Sequence, residues 1–140
     1  MASPVYERQF IRFAETGIAA EADSFSQFTL VKVNSSVVSN PPFISQAVGA
    51  GEVLGVLQQD ILAVDNDKAT TLQRLGTVAT SGLLLVAVGA SAPARGAALT
   101  VDANGKADAS GGAVTCNGTT PIVRAQHSQG GVDMVLVSFS

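Results

Sequence analysis

The hydrophobic pattern between residues 75 and 109 consists of short apolar runs separated by turns that contain glycine. Leu75 to Ala79 and Leu83 to Val88 are separated by Ser81-Gly82, and the run from Ala98 to Val101 leads into a turn that contains Asn104-Gly105. Asn-Gly accepts positive φ at both central positions of a two-residue turn, so Asn104-Gly105 is the strongest hairpin signal in the chain. This stretch predicts three or four short strands.

Similar runs and turns continue on both sides of this stretch. Phe28 to Val33 alternates as a strand, Asn117-Gly118 is a second hairpin signal, and Val132 to Phe139 is an apolar run at the end of the chain. The content of 14 glycines is typical of a chain with many tight turns. We therefore predict an all-β protein: a small β-barrel or sandwich of short antiparallel strands and hairpins, with an extended N-terminal segment.

Aromatic residues are concentrated in the first 43 positions, with Phe139 as the exception. These residues either pack on their own domain or belong to an arm that docks on a neighbouring subunit or on another protein. Chain termini are usually poorly ordered unless a contact holds them, so four large apolar residues there favour docking. We predict an N-terminal arm or docking segment over residues 1–27 and a single β domain over residues 28–140. The predicted partner-binding residues are Tyr6, Phe10, Ile11 and Phe13.

Charge is scarce in this sequence. Charged residues make up 14% of the chain, against about 25% in an average soluble domain. A surface with few charges provides little electrostatic repulsion between molecules, so we expect self-association. The net charge of −3 and the scattered positions of the eight basic residues argue against binding to a phosphate backbone, which requires clustered lysine and arginine. Nucleic acid is therefore not an expected partner.

Candidate catalytic and metal-binding residues are few. Cys116 is the single cysteine and His127 the single histidine, so one chain can build neither a disulfide nor a metal site based on several such ligands. A nucleophilic site would need Cys116 or a serine beside His127, with Asp133 as the orienting acid. Asp65-Asn66-Asp67 begins like a calcium loop, yet the glycine and glutamate that such a loop requires are missing. We expect no enzymatic activity, no metal and no cofactor.

The N-terminal residues lack the pattern of a secretory signal, because Glu7, Arg8, Arg12 and Glu15 interrupt the apolar positions. No apolar run approaches the roughly 18 residues that a membrane-spanning helix requires. We therefore expect a soluble protein that is made in a cytoplasm and has no membrane partner.

The order of strands and turns from Gly51 to Ser140 resembles a known family. It contains Gly55-Val56-Leu57, the turn Thr80-Ser81-Gly82, the apolar run from Leu83 to Ala90, and the strand-turn-strand unit from Leu99 to Ala107. This arrangement is similar to the capsid decoration (cement) proteins of tailed bacteriophages, of the type with a small β-barrel called a β-tulip.

The resemblance implies a non-enzymatic structural virion protein. Such a protein binds the major capsid protein on the outside of the assembled capsid, stabilises the capsid at junctions between capsomers, and often works as a homotrimer. The resemblance carries over no site residues, because the capsid contacts of the family are not part of a motif. The alternative is a ligand- or glycan-binding β-module such as a head-fibre domain. The absence of tryptophan and the scarcity of aromatics after residue 43 count against stacking on sugars.

Overall fold

A computed structural model describes residues 9–19, 24–34, 41–46, 50–61, 74–129 and 132–140 of the 140-residue chain. The described residues form ten strands and no α-helix, so the predicted all-β class is confirmed. The strands are β1 (Phe10–Ala19), β2 (Leu30–Val33), β3 (Phe43–Gln46), β4 (Gly51–Val53), β5 (Gly55–Leu57), β6 (Leu75–Ala87), β7 (Thr100–Val101), β8 (Gly112–Cys116), β9 (Ile122–Gln129) and β10 (Val132–Phe139).

The strands form two sheets. The larger sheet has seven strands in the order β1-β3-β2-β5-β6-β10-β9, and the smaller has the order β4-β8-β7. β1 also pairs with β6, which closes β1, β3, β2, β5 and β6 into a ring. Two pairings, β1 with β3 and β4 with β8, are parallel, whereas the sequence predicts antiparallel strands throughout. The molecule therefore combines a small barrel with a sandwich.

Two hydrophobic cores share the β2–β5–β6 wall. One core fills the ring, to which each of the five strands contributes a buried residue: Ala19, Val31, Ile44, Leu57 and Val78. The other core lies between the larger sheet and the three-stranded sheet, and includes Val53, Val101, Val114, Val123 and Val135. Side chains alternate between the two faces of a strand, so neighbouring residues of the wall enter different cores. These neighbours are Leu30 and Val31, Val56 and Leu57, and Val78 and Ala79.

β6 is the longest strand and runs without interruption from Leu75 to Ala87. The prediction of a turn at Ser81-Gly82 that separates two strands is wrong. Gly82 adopts φ 126° within the strand, and the pairing of β1 with β6 shifts register between Ile11 and Ala14. The glycine therefore bends β6 instead of ending it, and both halves of the strand pair with β1.

The two Asn-Gly sequences both form turns, with different geometry. Asn117 and Gly118 have φ values of 54° and 75°, and Cys116 and Thr119 exchange two backbone hydrogen bonds around them, so the predicted tight turn forms, although β8 and β9 on either side of it pair with other strands and not with each other. In the other turn Gly105 has positive φ, whereas Asn104 does not. There the Asp102 carboxylate accepts hydrogen bonds from the backbone N–H groups of residues 104 and 106. This carboxylate replaces the second positive-φ residue as the element that fixes the turn.

The predicted N-terminal segment contributes β1 to the ring. Residues 17–19 are buried where β1 meets β3, and residues 10–16 are exposed. The predicted division of the chain at residue 27 stays a prediction.

Candidate functional site

The exposed half of β1 carries the largest apolar side chains on the described surface. Phe10 is 65% exposed and Phe13 64%, and Ile11 and Leu83 are also classed among the exposed large hydrophobic residues. We call Phe10, Ile11, Phe13 and Leu83 the β1 surface. Exposed large aromatics on a fixed strand indicate an interaction site, because such side chains lose unfavourable contact with water when a partner covers them.

Strand pairing places Phe10 beside Leu83 at the exposed end of β1. Phe10 lies directly opposite Leu83 on β6, and Phe13 lies opposite Ser81. Gly82, with φ 126°, bends β6 between Ser81, which is buried, and Leu83, which is exposed. Phe10 and Leu83 therefore form a cross-strand apolar pair, and Ile11 and Phe13 lie on the same exposed stretch of β1.

The start of β1 is held against β6 by side-chain hydrogen bonds as well as by the ladder. The Gln9 side-chain oxygen accepts from the backbone N–H of Leu85 at 2.9 Å, and its amide nitrogen donates to the Gln58 side-chain oxygen at 2.9 Å. Further along, the Thr80 hydroxyl donates to the Phe13 carbonyl at 3.3 Å. These contacts fix the backbone that presents the aromatic rings.

Arg12 gives the β1 surface a positive charge. Arg12 has no partner residue on β6 at the register shift, and its guanidinium carbon lies 5.9 Å from the centre of the Phe13 ring. A guanidinium over an aromatic face is a favourable contact of about 0.5–1 kcal/mol at an exposed site. The cation is therefore held beside the aromatic residue instead of extending freely into water.

The structure brings three of the four predicted partner-binding residues together. Phe10, Ile11 and Phe13 lie within four consecutive positions of β1, and Tyr6 lies outside the described residues. Their role as anchors stays a prediction. Sequence reasoning missed Leu83, because it begins an apolar run that continues with the fully buried residues Leu84, Leu85 and Val86.

An open groove of about 300 Å³ lies elsewhere on the surface, and no aromatic side chain lines it. The lining residues are Val33, Glu52, Val53, Leu54 and Asn117. Hydrogen bonds from the Thr115 hydroxyl and from the backbone N–H groups of Gly118 and Asn117 hold the pKa of the Glu52 carboxyl below its usual value. Glu52 therefore serves first to hold the 117–118 turn against β4.

Cys116 and His127, the candidates for catalysis, are much less suited to a functional role than the β1 surface. Burial, and then the nearby charge of Glu52, raise the pKa of the Cys116 thiol to about 11, so this thiol is a poor nucleophile. His127 lies on β9 opposite Met134, and its Nε2 atom is buried without a hydrogen-bond partner. Among the described residues, no group of three or more His, Cys, Asp or Glu side chains is placed to hold a metal ion. Asp65, Asn66 and Asp67 lie outside the described residues.

Within the described part of the chain, no helix is long and apolar enough to span a membrane. The sequence matches no family model, and comparison with curated proteins and with solved structures found no significant similarity.

Proposed function

We propose that this protein is a capsid decoration (cement) protein. It binds the outside of the assembled capsid of a tailed bacteriophage at capsomer junctions, and its partner there is the major capsid protein. The observation that carries the proposal is the exposure of Phe10 and Phe13 on a strand that is fixed in the sheet. The resemblance of residues 51–140 to cement proteins supplies the kind of partner.

The exposed side chains of the β1 surface supply apolar area for docking. Each phenylalanine side chain contributes about 1.5–3 kcal/mol when it is fully buried from water. Because β6 and Gln9 already hold the backbone of β1, docking orders little additional chain, which reduces the entropic cost of binding. The two exposed rings and Leu83 therefore form a preorganised anchor.

Binding of this kind stabilises a shell without any chemical step. A protein that binds the assembled shell and not the separate subunits shifts the assembly equilibrium towards the shell by mass action. Several linked copies that contact different capsomers add avidity. The homotrimer implied by the resemblance is one such arrangement and is part of the proposal.

The test uses empty shells assembled from the major capsid protein of the phage that carries the gene. We expect the protein to sediment with these shells to a saturating ratio, to remain in the supernatant with unassembled capsid protein, and to raise the temperature at which the shells fall apart. Failure to sediment with shells, or equal binding to unassembled subunits, would contradict the proposal.

The alternative function, a ligand- or glycan-binding β-module such as a head-fibre domain, has weaker support. The groove beside Glu52 and Asn117 offers polar groups, but its lining residues include no aromatic ring on which a sugar could stack. A glycan array distinguishes the two functions: specific glycan binding that is lost in Asn117→Ala, together with no binding to shells, would favour the alternative.

A further inference from the structure

The two Asn-Gly turns place reactive asparagine side chains in different surroundings. An asparagine that precedes glycine can react with its own backbone, because glycine has no side chain to obstruct the approach. The glycine nitrogen loses its proton to hydroxide and attacks the asparagine Cγ. The N–Cγ bond forms, the Cγ–Nδ2 bond breaks, and ammonia leaves with a proton from water. Water then opens the cyclic imide at either carbonyl to give aspartate or isoaspartate, so solvent is the only co-reactant.

The surroundings of Asn104 leave this side chain available. Asn104 is exposed, and its side-chain amide makes no hydrogen bond to another described residue. The attacking nitrogen is that of Gly105, whose N–H donates to the Asp102 carbonyl at 3.3 Å, beyond the usual range of about 2.7–3.2 Å. One long hydrogen bond therefore opposes the reaction at this turn.

The surroundings of Asn117 oppose the same reaction at three points. Its side-chain Nδ2 donates to the carbonyls of Thr80 and Ser140, each at 3.2 Å, so the side chain is held away from its own backbone. The Gly118 N–H donates to the Glu52 carboxylate at 3.2 Å. A carboxylate beside this nitrogen disfavours the loss of its proton, because two negative charges would then be adjacent.

We propose that Asn104 is a site of spontaneous deamidation in the folded protein, and that contacts of Asn117, with Glu52 among them, protect the second Asn-Gly sequence. The proposal is independent of capsid binding. It assigns opposite behaviour to two identical dipeptides of one chain, so each serves as the reference for the other.

Deamidation at Asn104 has a structural consequence. Either product places a carboxylate close to that of Asp102, which fixes this turn, and isoaspartate also lengthens the main chain before Gly105. The Gly105 carbonyl accepts from the Leu30 N–H at 2.8 Å, and Leu30 begins β2 in the wall between the two cores. The modification therefore weakens the attachment of the turn to β2.

Peptide mapping of aged protein tests the proposal. Trypsin cleaves after Arg95, Lys106 and Arg124, so Asn104 lies in the peptide 96–106 and Asn117 in the peptide 107–124, each as the only asparagine. The folded chain and the chain in denaturant are incubated at the same mildly alkaline pH, and mass spectrometry follows the exchange of NH₂ for OH in both peptides. In the folded chain we expect Asn117 to react at least roughly tenfold more slowly than Asn104. In denaturant the two rates should be similar.

Glu52→Gln tests the source of the protection, with Glu15→Gln on the exposed part of β1 as the matched control. A neutral acceptor holds the Gly118 N–H less strongly than a carboxylate does, so we expect the rate at Asn117 to rise roughly fivefold in Glu52→Gln and to stay unchanged in Glu15→Gln. Circular dichroism checks that both variants are folded.

The proposal is overturned if Asn104 and Asn117 react equally fast in the folded chain, or if Asn117 reacts faster. It is also overturned if folding slows the reaction at Asn104 more than about a hundredfold relative to denaturant, or if folded Glu52→Gln deamidates at Asn117 no faster than Glu15→Gln.

Discussion

Gly82 of β6 lies so close to the backbone of Phe10 that a Cβ at this position would overlap the Phe10 carbonyl oxygen. The same Cβ would lie 2.9 Å from the backbone nitrogen of Arg12. Gly82 also has φ 126°, a conformation that residues with a side chain rarely adopt. The absence of a side chain at position 82 therefore allows the aromatic start of β1 to reach β6, and so places the β1 surface on the molecule.

Substitution of Gly82 by alanine should detach the first residues of β1 from β6. Overpacking against a backbone atom typically costs about 1–3 kcal/mol, and the positive φ adds about 1–2 kcal/mol. We expect a lower free energy of unfolding and faster hydrogen exchange at the amides of residues 10–13, while exchange in β9 and β10 is unchanged.

Gly51→Ala is the matched control for this variant. Gly51 has a similar φ of 116°, but nothing lies within 4 Å of the position that a Cβ would occupy. It should therefore show the conformational cost without the clash, and exchange in β1 should not change. Equal effects of the two substitutions on β1 would contradict the role assigned to Gly82.

The aromatic residues of β1 should contribute little to the stability of the isolated chain. Phe10 is 65% exposed, whereas Leu84 on β6 is fully buried in the sandwich core. We expect Leu84→Ala to lower the free energy of unfolding by about 2–5 kcal/mol and Phe10→Ser to change it by about 0.5 kcal/mol or less. Denaturant unfolding at a concentration below that of self-association measures both. A large loss for Phe10→Ser would place this ring in the core of its own domain.

The sequence predicts the fold class well and individual boundaries less well, for identifiable reasons. Asn117-Gly118 forms the predicted tight turn because the turn depends on local residues alone, whereas the strands on either side of it pair elsewhere. Ser81 and Gly82 are also residue types that favour turns. However, pairing with β1 and β10 on both sides of the bend keeps β6 continuous. The parallel pairing of β4 with β8 joins residues about 60 positions apart, and no local pattern reports it.

The candidate site could be predicted in part. The aromatic cluster at Phe10 and Phe13 is visible in the sequence because it precedes the regular strand pattern. Its exposure is not visible there, because the same residues at the same spacing could pack inside a barrel. Leu83 joins them only through the register of β1 on β6, which depends on a bulge at Arg12 that the sequence does not specify.

Stability should fall at acidic pH because of Asp108. The backbone N–H groups of Ser110 and Ala90 and the hydroxyl groups of Ser110 and Ser91 donate to this carboxylate and lower its pKa from the ordinary value of 3.8. The stabilisation is present above the pKa of the unfolded chain and is lost as the pH falls through the lower pKa of the folded protein. We expect unfolding titrations to show this loss below pH 3.8, with a smaller loss in Asp108→Asn. Asp133→Asn, at an exposed position of β10, is the control. If Asp108→Asn lost as much stability between neutral and acidic pH as the original chain does, the assignment to Asp108 would be contradicted.

The Cys116 thiol should resist alkylation while the chain is folded. Its pKa of about 11 leaves almost none of the reactive thiolate at pH 8, and the side chain is buried. We expect iodoacetamide to modify the native protein far more slowly than the protein in denaturant, as followed by mass spectrometry. Comparable rates in the two states would show that the sandwich core around Cys116 opens readily.

The most direct test of the docking surface compares shell binding by three variants. Phe10→Ser and the double variant Phe10→Ser/Phe13→Ser remove the anchors. Val33→Ser removes a side chain that is 48% exposed but lies on β2, outside the β1 surface. Because each buried phenylalanine contributes about 1.5–3 kcal/mol, the double variant should bind shells roughly a hundredfold or more weakly.

The measurement is the dissociation constant for shells assembled from the major capsid protein of the same phage, determined by co-sedimentation. The account predicts a stepwise loss from the original chain to Phe10→Ser to the double variant, with Val33→Ser unchanged and all proteins folded by circular dichroism. Unchanged binding by the double variant, or an equal loss in Val33→Ser, would contradict the assignment of the β1 surface as the capsid-binding site.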